Sequence, residues 1–173
     1  MEDEGHLRWG NVCGQVGGKR NTPLAVPMTN ERQRQTYYGA INLLTHTVHL
    51  QAKPRGEVSH TVAYLQWCQS WYPDKKLLVL WDGASDHRGA EMRTFLAQEN
   101  AELAEVEWKV TSPNAPEQHP PEDLWLKGKT FLRKHFAINK TFTAVKQCFS
   151  TFLQTLSFDS KKFRWYWPDP QMI

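Results

Sequence analysis

The feature that most constrains this chain is a run of five apolar residues, Leu77 to Trp81, that ends at Asp82 and is followed by a turn of small and polar residues. The run does not alternate between apolar and polar residues, so it predicts a strand buried on both faces, as at the centre of a parallel or mixed sheet. A carboxylate at the C-terminal end of such a strand lies at the rim where ligands bind. Asp-Gly is also a common turn pair, so Asp82 alone is equally compatible with a purely structural turn.

The composition places this strand in an ordinary globular domain. The 173 residues, 40% hydrophobic and 23% charged, predict a single domain over residues 1–173. The formal charge of +3 permits an acidic partner without requiring one. Three widely spaced cysteines (Cys13, Cys68 and Cys148) predict neither a zinc site nor a disulfide framework and favour a reducing cytoplasm. The sequence contains no apolar run long enough to span a membrane and no secretory leader, so no membrane partner is expected.

The pattern around the central run alternates between strands and helices. The predicted elements are a hairpin over 36–44 and 47–52, a helix capped by Ser59 and stopped by Pro73, a helical stripe through Met92, Phe95, Leu96 and Leu103, a strand over 106–110, a helix with Pro121 in its first turn, and a last helix over 142–156. This order predicts an α/β layer fold with a mixed sheet. His46, His49 and His60 lack the spacing of metal ligands and are expected at the surface.

Three segments together resemble a known family. They are Met1-Glu2-Asp3-Glu4, the stretch from Trp81 to His87, and the stretch from Ala115 to Trp125. In this order and context they resemble the catalytic domain of DDE transposases from bacterial insertion sequences, in particular the insertion sequence six-thirty family, which is related to the eukaryotic mariner elements. The resemblance extends from Asp3 through the helix that ends near Phe136 and on to the last helix.

The resemblance implies a ribonuclease H-like fold, α/β with a mixed central sheet flanked by helices. It implies that Asp3, Asp82 and Glu122 are the catalytic acids and the metal ligands. Asp3 would end the opening strand, Asp82 would end the central strand, and Glu122 would lie in the first turn of the helix after the proline-rich loop. Two Mg²⁺ or Mn²⁺ ions about 3.5–4 Å apart can activate the attacking oxygen and stabilise the leaving oxygen of a phosphodiester. Such hard cations prefer carboxylate ligands.

The activity that the resemblance implies is cleavage of DNA and strand transfer between transposon ends and target DNA, by a homodimer in the bacterial cytoplasm at the nucleoid. Four basic residues on the Glu122 helix are candidates for contact with the DNA backbone: Lys127, Lys129, Arg133 and Lys134. A solvated helix face explains the same cluster equally well.

The sequence departs from the family pattern at three points. His119 stands where such loops usually carry an asparagine, only two residues precede Asp3, and the helix-turn-helix segments that recognise transposon ends are absent. Two origins are compatible with these departures: the second product of a split reading frame, whose companion N-terminal polypeptide would supply end recognition, or a truncated copy. Two alternatives stay open: a remnant of the same fold that binds nucleic acid without cutting it, and a metal-dependent hydrolase with another substrate.

Other polar residues near the three acids are weaker candidates. They are Glu4, Asp86, Glu117, Asp123 and His87. The four acids are expected to support the site or to be solvated rather than to bind metal. His87 could orient the site or a phosphate, although a histidine in a turn is commonly structural.

Overall fold

The computed structural model describes residues 1–9, 32–81, 90–98, 102–105, 120–135 and 141–165. Its elements in chain order are β1 (Glu2–Arg8), β2 (Arg34–Ile41), β3 (Val48–Lys53), α1 (Val58–Ser70), β4 (Leu78–Trp81), α2 (Ala90–Gln98), β5 (Glu102–Glu105), α3 (Pro120–Lys134), α4 (Phe142–Thr155) and a 3-10 helix (Lys161–Trp165). The predicted strand over 106–110 lies outside the described residues.

The strands form a three-stranded antiparallel sheet and a two-stranded parallel sheet. Strands β1, β2 and β3 pair antiparallel in that order, and β4 pairs with β5 in parallel. Backbones of β1 and β4 approach within 8 Å, which places the two sheets side by side. The predicted hairpin is therefore confirmed as β2 and β3. Its turn includes His46 in the left-handed region, with φ of 59°.

The pleat of β2 divides the core into two halves. Tyr37 packs toward α3 and α4, whereas the next residue, Tyr38, packs toward α1 and α2, because successive side chains of a strand point to opposite faces. The first half includes Leu7, Leu124, Trp125, Phe149 and Leu153; the second includes Tyr64, Leu65, Val79, Met92 and Phe95. Helices therefore cover both faces of the sheet.

Two predictions about helix boundaries are wrong. Helix α1 begins at Val58 with Glu57 as its N-cap, and Ser59 lies inside the helix. The Tyr38 hydroxyl accepts from Glu57 N at 3.0 Å and donates to Glu57 O at 3.2 Å, so a tertiary contact positions this end of the helix. Leu103 does not continue the stripe of α2, because it lies in β5 and pairs with Val79.

The central strand is buried less completely than its sequence predicts. Val79 is 5% exposed, but the neighbouring Leu78 is 53% exposed. Val79 lies in the core half beneath α1 and α2. The core half beneath α3 and α4 contains no residue of β4 among the described residues.

The segment after α4 folds back over the first core half. Phe158 is fully buried, and its N–H donates to His46 O at 2.9 Å, while Phe163 stacks near the His46 ring with centroids 5.2 Å apart. This segment therefore ties the β2–β3 turn to the helical layer. Within the described ranges, every helix is too short or too polar to cross a bilayer.

Candidate active site

Asp3 lies near the start of the opening strand, where it is half-buried. It is the second residue of β1, so the expectation that it ends the opening strand is wrong. The strand continues to Arg8 because the long β2 supplies a partner for every residue from Glu2 to Arg8. The Trp125 indole Nε1 donates to Asp3 Oδ2 at 2.9 Å, and the backbone N–H of Glu4 donates to Asp3 Oδ1 at 2.8 Å. Asp3 therefore faces α3.

Two glycines provide the space for the Trp125 ring. A Cβ at Gly5 would lie 2.6 Å from the indole, and a Cβ at Gly39 would lie 2.5 Å from it. These glycines pair nearly opposite each other on β1 and β2, since Gly39 is the partner of Asp3 and Gly5 follows two residues later. Phe149 stacks on the indole at 6.4 Å between centroids, and only 3% of Trp125 is exposed. The indole is therefore held from both sides.

Glu122 occupies the first turn of α3, as the sequence predicts, and its side chain is exposed. The proline pair Pro120–Pro121 opens the helix, where missing N–H groups cost nothing. Glu122 precedes Trp125 by three residues, so the two side chains are neighbours on the helix surface. The positive end of the helix dipole favours a carboxylate here by about 0.3–1 kcal/mol.

Asp123, the adjacent acid, is engaged in a structural contact. Lys162 Nζ lies 2.8 Å from Asp123 Oδ1, and Ser160 Oγ donates to Asp123 Oδ2 at 3.3 Å. The Asp123 and Lys162 side chains are 35% and 17% exposed, so the pair is partly shielded from water. Asp123 therefore anchors the C-terminal segment to the first turn of α3, on a different side of the helix from Glu122.

Glu4 lies on the opposite face of the sheet from Asp3. Its carboxylate reaches the backbone at Gly56, where an added Cβ would overlap it. Burial raises the pKa of the nearby Tyr38 hydroxyl to about 12, and the Glu4 carboxylate acts in the same direction. Glu4 therefore belongs to the contact between β1 and the start of α1, and the expectation that it accompanies the other acids is wrong.

The remaining acid of the expected set follows β4 directly. The strand ends at Trp81, and Asp82 lies outside the described residues, as do Asp86, His87, Glu117 and His119. Within the described part of the chain, no group of three or more His, Cys, Asp or Glu side chains could hold a metal ion. Asp3 and Glu122 are two hard oxygen donors, which fits Mg²⁺ or Mn²⁺ when a third carboxylate joins them.

The four basic residues of α3 separate into two pairs. Because a helix has 3.6 residues per turn, Lys129 and Arg133 follow Glu122 by close to two and three whole turns and share its side. Lys127 and Lys134 lie on the other side. Lys127 Nζ lies 4.4 Å above the Phe158 ring and donates to Asp159 O at 3.3 Å, so it contributes to packing of the C-terminal segment.

An exposed leucine lies between the acid and the bases on the first of these sides. Leu126 is 57% exposed and follows Glu122 by one turn. Arg133 Nε is buried and makes no hydrogen bond within the described residues. We call Glu122, Leu126, Lys129 and Arg133 the Glu122 flank of α3.

The histidines expected at the surface are all half-buried. His49 is surrounded by the rings of Trp67, Trp71 and Tyr72 at 5.7–6.2 Å between centroids. Burial lowers the pKa of His49, and the positive charge of the amino terminus adds to the effect. The cluster lies at the C-terminal end of α1, on the sheet face opposite α3.

Sequence reasoning noted Trp125 only as part of a motif and missed its contact with Asp3. The signal that could have found it is the pair of glycines, Gly5 and Gly39, each inside a strand. A glycine in a strand often marks the close approach of another group, and here that group is the Trp125 ring. Periodicity alone does not connect positions 122 residues apart.

The chain has a ribonuclease H-like fold, an α/β arrangement with helices on both faces of the strands. Solved structures share it. The chain is similar to the Mos1 transposase paired-end complex with left transposon end, with a TM-score of 0.61 and 14% identity over 95% of this chain and 49% of that one. It is also similar to the Mos1 mariner paired end complex with Mn, with a TM-score of 0.56 and 13% identity over 95% and 49% of the two chains.

A third similar structure comes from a viral assembly. It is the simian T-cell lymphotropic virus intasome in complex with PP2A regulatory subunit B56 gamma, with a TM-score of 0.56 and 11% identity over 99% of this chain and 54% of that chain. The chain thus spans about half the length of these proteins. No family model and no curated protein matches the sequence. At these identities the likeness concerns the fold.

Proposed function

We propose that this chain is the catalytic domain of a DDE transposase of the insertion sequence six-thirty kind, which cleaves DNA and transfers strands with Mg²⁺ or Mn²⁺. The observation that carries the proposal is the hydrogen bond from Trp125 to Asp3, which brings the acid of β1 beside the helix turn that bears Glu122. The ribonuclease H-like fold supports the proposal. So do two structural neighbours, which are a transposase complex with a transposon end and a transposase complex with Mn.

The three acids would hold the metal. Asp82 directly follows β4, which lies beside β1, so it is the candidate to join Asp3 and Glu122 as the third ligand. Bound divalent ions supply an activated oxygen nucleophile and charge stabilisation at the leaving oxygen. The carboxylates bind and orient those ions, and Trp125 orients one of the carboxylates. Without cations the clustered negative charges would repel one another, which couples the geometry of the site to metal binding.

A cleavage assay tests the proposal. The chain should nick supercoiled DNA when Mn²⁺ or Mg²⁺ is added, and Asp82→Asn or Glu122→Gln should reduce nicking to the level without metal, since an amide cannot replace the charge that holds the ion. Asp123→Asn is the matched control: it changes the adjacent acid, whose contact is with Lys162, and should leave nicking in place. Equal Mn²⁺ affinity of wild type and Asp82→Asn by calorimetric titration would overturn the assignment of the acids.

The Glu122 flank is the part of α3 that we assign to DNA. Lys129 and Arg133 lie on the same side of the helix as Glu122, and the exposed Leu126 lies between Glu122 and these two bases. Lys127, by contrast, contacts Phe158 and Asp159. Basic side chains that contact phosphates position the protein without reading sequence. The isolated chain should therefore bind DNA weakly, in a strongly salt-dependent way, with no preference for transposon ends.

Two double variants separate the sides of the helix. Each contact with a phosphate contributes a slope of about 0.9 to the dependence of log affinity on log salt. Replacing Lys129 and Arg133 with alanine should lower that slope by about 2, and replacing Lys127 and Lys134 should lower it by less than about 1. Fluorescence anisotropy on scrambled duplex DNA at several salt concentrations measures both. Equal slopes for the two double variants would remove the assignment to one side.

Recognition of transposon ends is assigned to a part outside this chain. Reading base edges requires an element that enters a groove, commonly a helix-turn-helix. A companion N-terminal polypeptide and assembly as a homodimer complete the proposal. Competition binding at fixed salt, with the element's ends against scrambled DNA of equal length, tests this division. A clear preference for the ends by the 173-residue chain alone would contradict it.

A further inference from the structure

We infer that Trp125 is a positioning residue of the metal site, whose indole N–H fixes the carboxylate of Asp3 and joins it to the helix turn that carries Glu122. This inference rests on the proposed function. It concerns one contact, the 2.9 Å hydrogen bond from Trp125 Nε1 to Asp3 Oδ2.

Contacts on both sides hold the indole ring in place. Its ring fits against Gly5 and Gly39, where any Cβ would overlap it, and Phe149 stacks on it. A tryptophan has two rotatable side-chain bonds, and both are fixed by these contacts. The direction of Nε1–H is therefore determined by the sheet backbone and not by the carboxylate, so the donor can hold Asp3 in one orientation.

The two oxygens of Asp3 have different donors. Oδ2 receives the indole N–H, and Oδ1 receives the backbone N–H of Glu4 at 2.8 Å. A carboxylate oxygen can accept two bonds, so neither donor by itself prevents metal ligation. Donors on both oxygens fix the plane of the carboxylate. Polar partners of metal ligands commonly act this way, and their loss typically costs 10–100-fold in metal affinity.

Helix α3 carries both the donor and the second acid. Glu122 and Trp125 are three residues apart, with Cβ atoms about 5–6 Å from each other. Any shift of the helix relative to β1 therefore moves the Glu122 carboxylate and the Asp3 donor together. The hydrogen bond thus links Asp3 directly to the helix that carries Glu122.

Titration of the full chain with Mn²⁺ alone, followed by electron paramagnetic resonance, tests the inference. Trp125→Phe keeps an aromatic ring against Gly5 and Gly39 and removes the indole N–H. This variant should weaken Mn²⁺ binding by about 10–100-fold. Trp67→Phe is the matched control, because it makes the same substitution on the opposite face of the sheet, where the ring packs against His49 and Tyr64; Mn²⁺ affinity should stay within about threefold of wild type, well below the loss expected for a missing partner. In the Asp3→Asn background, Trp125→Phe should have no further effect, because the two residues act through one contact.

The outcomes separate this inference from the proposed function. Mn²⁺ binding that depends on Asp3 but is unchanged in Trp125→Phe would overturn the positioning role and leave the proposed function intact. Mn²⁺ binding that does not depend on Asp3 would overturn both. If Trp125→Phe does not fold, β-(3-benzothienyl)alanine introduced at position 125 keeps the bicyclic shape and replaces N–H with sulfur. Unchanged Mn²⁺ affinity of that variant would overturn the inference equally.

Discussion

Two adjacent acids of β1 illustrate how the two faces of the sheet differ. On the α3 face, Asp3 is half-buried, receives the indole N–H of Trp125, and lies beside the turn that exposes Glu122. On the α1 face, Glu4 lies against Gly56 and the buried Tyr38. On the α3 face, the carboxylates of Asp3 and Glu122 are therefore accessible to water and ions. On the α1 face, the Glu4 carboxylate takes part in the contact between β1 and α1.

Polar groups on the α1 face are also shielded from water. Burial raises the pKa of the Tyr64 hydroxyl well above its usual range, and burial raises the pKa of the Cys68 thiol to about 11. Tyr64 donates to His49 O at 2.8 Å, so its buried hydroxyl is satisfied. The comparison teaches that two adjacent acidic residues of one strand can serve a site and a core.

The largest expected effect separates the two acids by activity. Asp3→Asn should reduce Mn²⁺-dependent nicking of DNA to the level without metal, because it removes a ligand charge. Glu4→Gln should retain nicking in the folded protein, since Glu4 faces away from the site. Plasmid nicking assays on both variants, with circular dichroism to confirm folding, measure the difference. If both variants folded and both lost nicking, Glu4 would also belong to the site and the two faces would not differ in this way.

The second expected effect concerns closure of the α1 face. With a pKa of about 11, Cys68 is a thiolate in only about one part in 10³ at pH 8, and 5% of the residue is exposed. Iodoacetamide should therefore modify Cys68 much more slowly than the half-buried Cys148, and the difference should vanish in urea. Mass spectrometry of tryptic peptides over time measures both rates. Comparable rates in the native protein would show that this face opens readily.

The third expected effect compares a glycine on each face. Gly39→Ala places a Cβ 2.5 Å from the rigid Trp125 ring, and overpacking of this kind costs about 1–3 kcal/mol in the free energy of unfolding. Gly56→Ala meets only the end of the flexible Glu4 side chain at an exposed position and should change stability by about 0.5 kcal/mol or less. Urea unfolding of the two variants measures the costs. A larger loss of unfolding free energy in Gly56→Ala than in Gly39→Ala would contradict this ranking.

The smallest expected effect is a pH dependence on the α1 face. Burial lowers the pKa of His49, so the unfolded chain binds more protons than the folded one between that lowered value and the usual value of about 6.5. Stability from this group is fully present above that window and is lost as the pH falls through it. The Tyr72 hydroxyl accepts from Asn42 and lies 3.1 Å from His49 Nε2, so it can donate to the neutral ring.

Replacing the histidine isolates this contribution. His49→Gln keeps a hydrogen-bonding side chain without a titrating ring, so its free energy of unfolding should fall less than that of wild type between pH 7 and pH 5. Urea unfolding at several pH values gives the two slopes. If the wild-type protein lost no more stability than the variant, protonation of His49 would not oppose folding.

Some parts of this protein follow from local sequence alone. The proline pair begins α3 and places Glu122 in its first turn, because proline is favoured there and carboxylates are stabilised at that end. The hairpin of β2 and β3 follows from strand-forming residues around a polar break. The separation of the basic residues into two sides of α3 also follows from the 3.6-residue period, although proximity in sequence suggested a single cluster.

Other features were decided only by the tertiary structure. Neither the acidic character nor the spacing of Asp3 and Glu4 indicates that Asp3 faces α3 and Glu4 faces α1, because the phase of the pleat decides which face each adjacent residue occupies. That phase is set by the pairing of β1 with β2 and by the seat of Trp125 on Gly5 and Gly39. Likewise, an unbroken apolar run does not indicate that Leu78 is 53% exposed while its neighbour Val79 is 5% exposed. Local sequence sets the period of a strand, whereas contacts between distant segments determine which face each residue occupies.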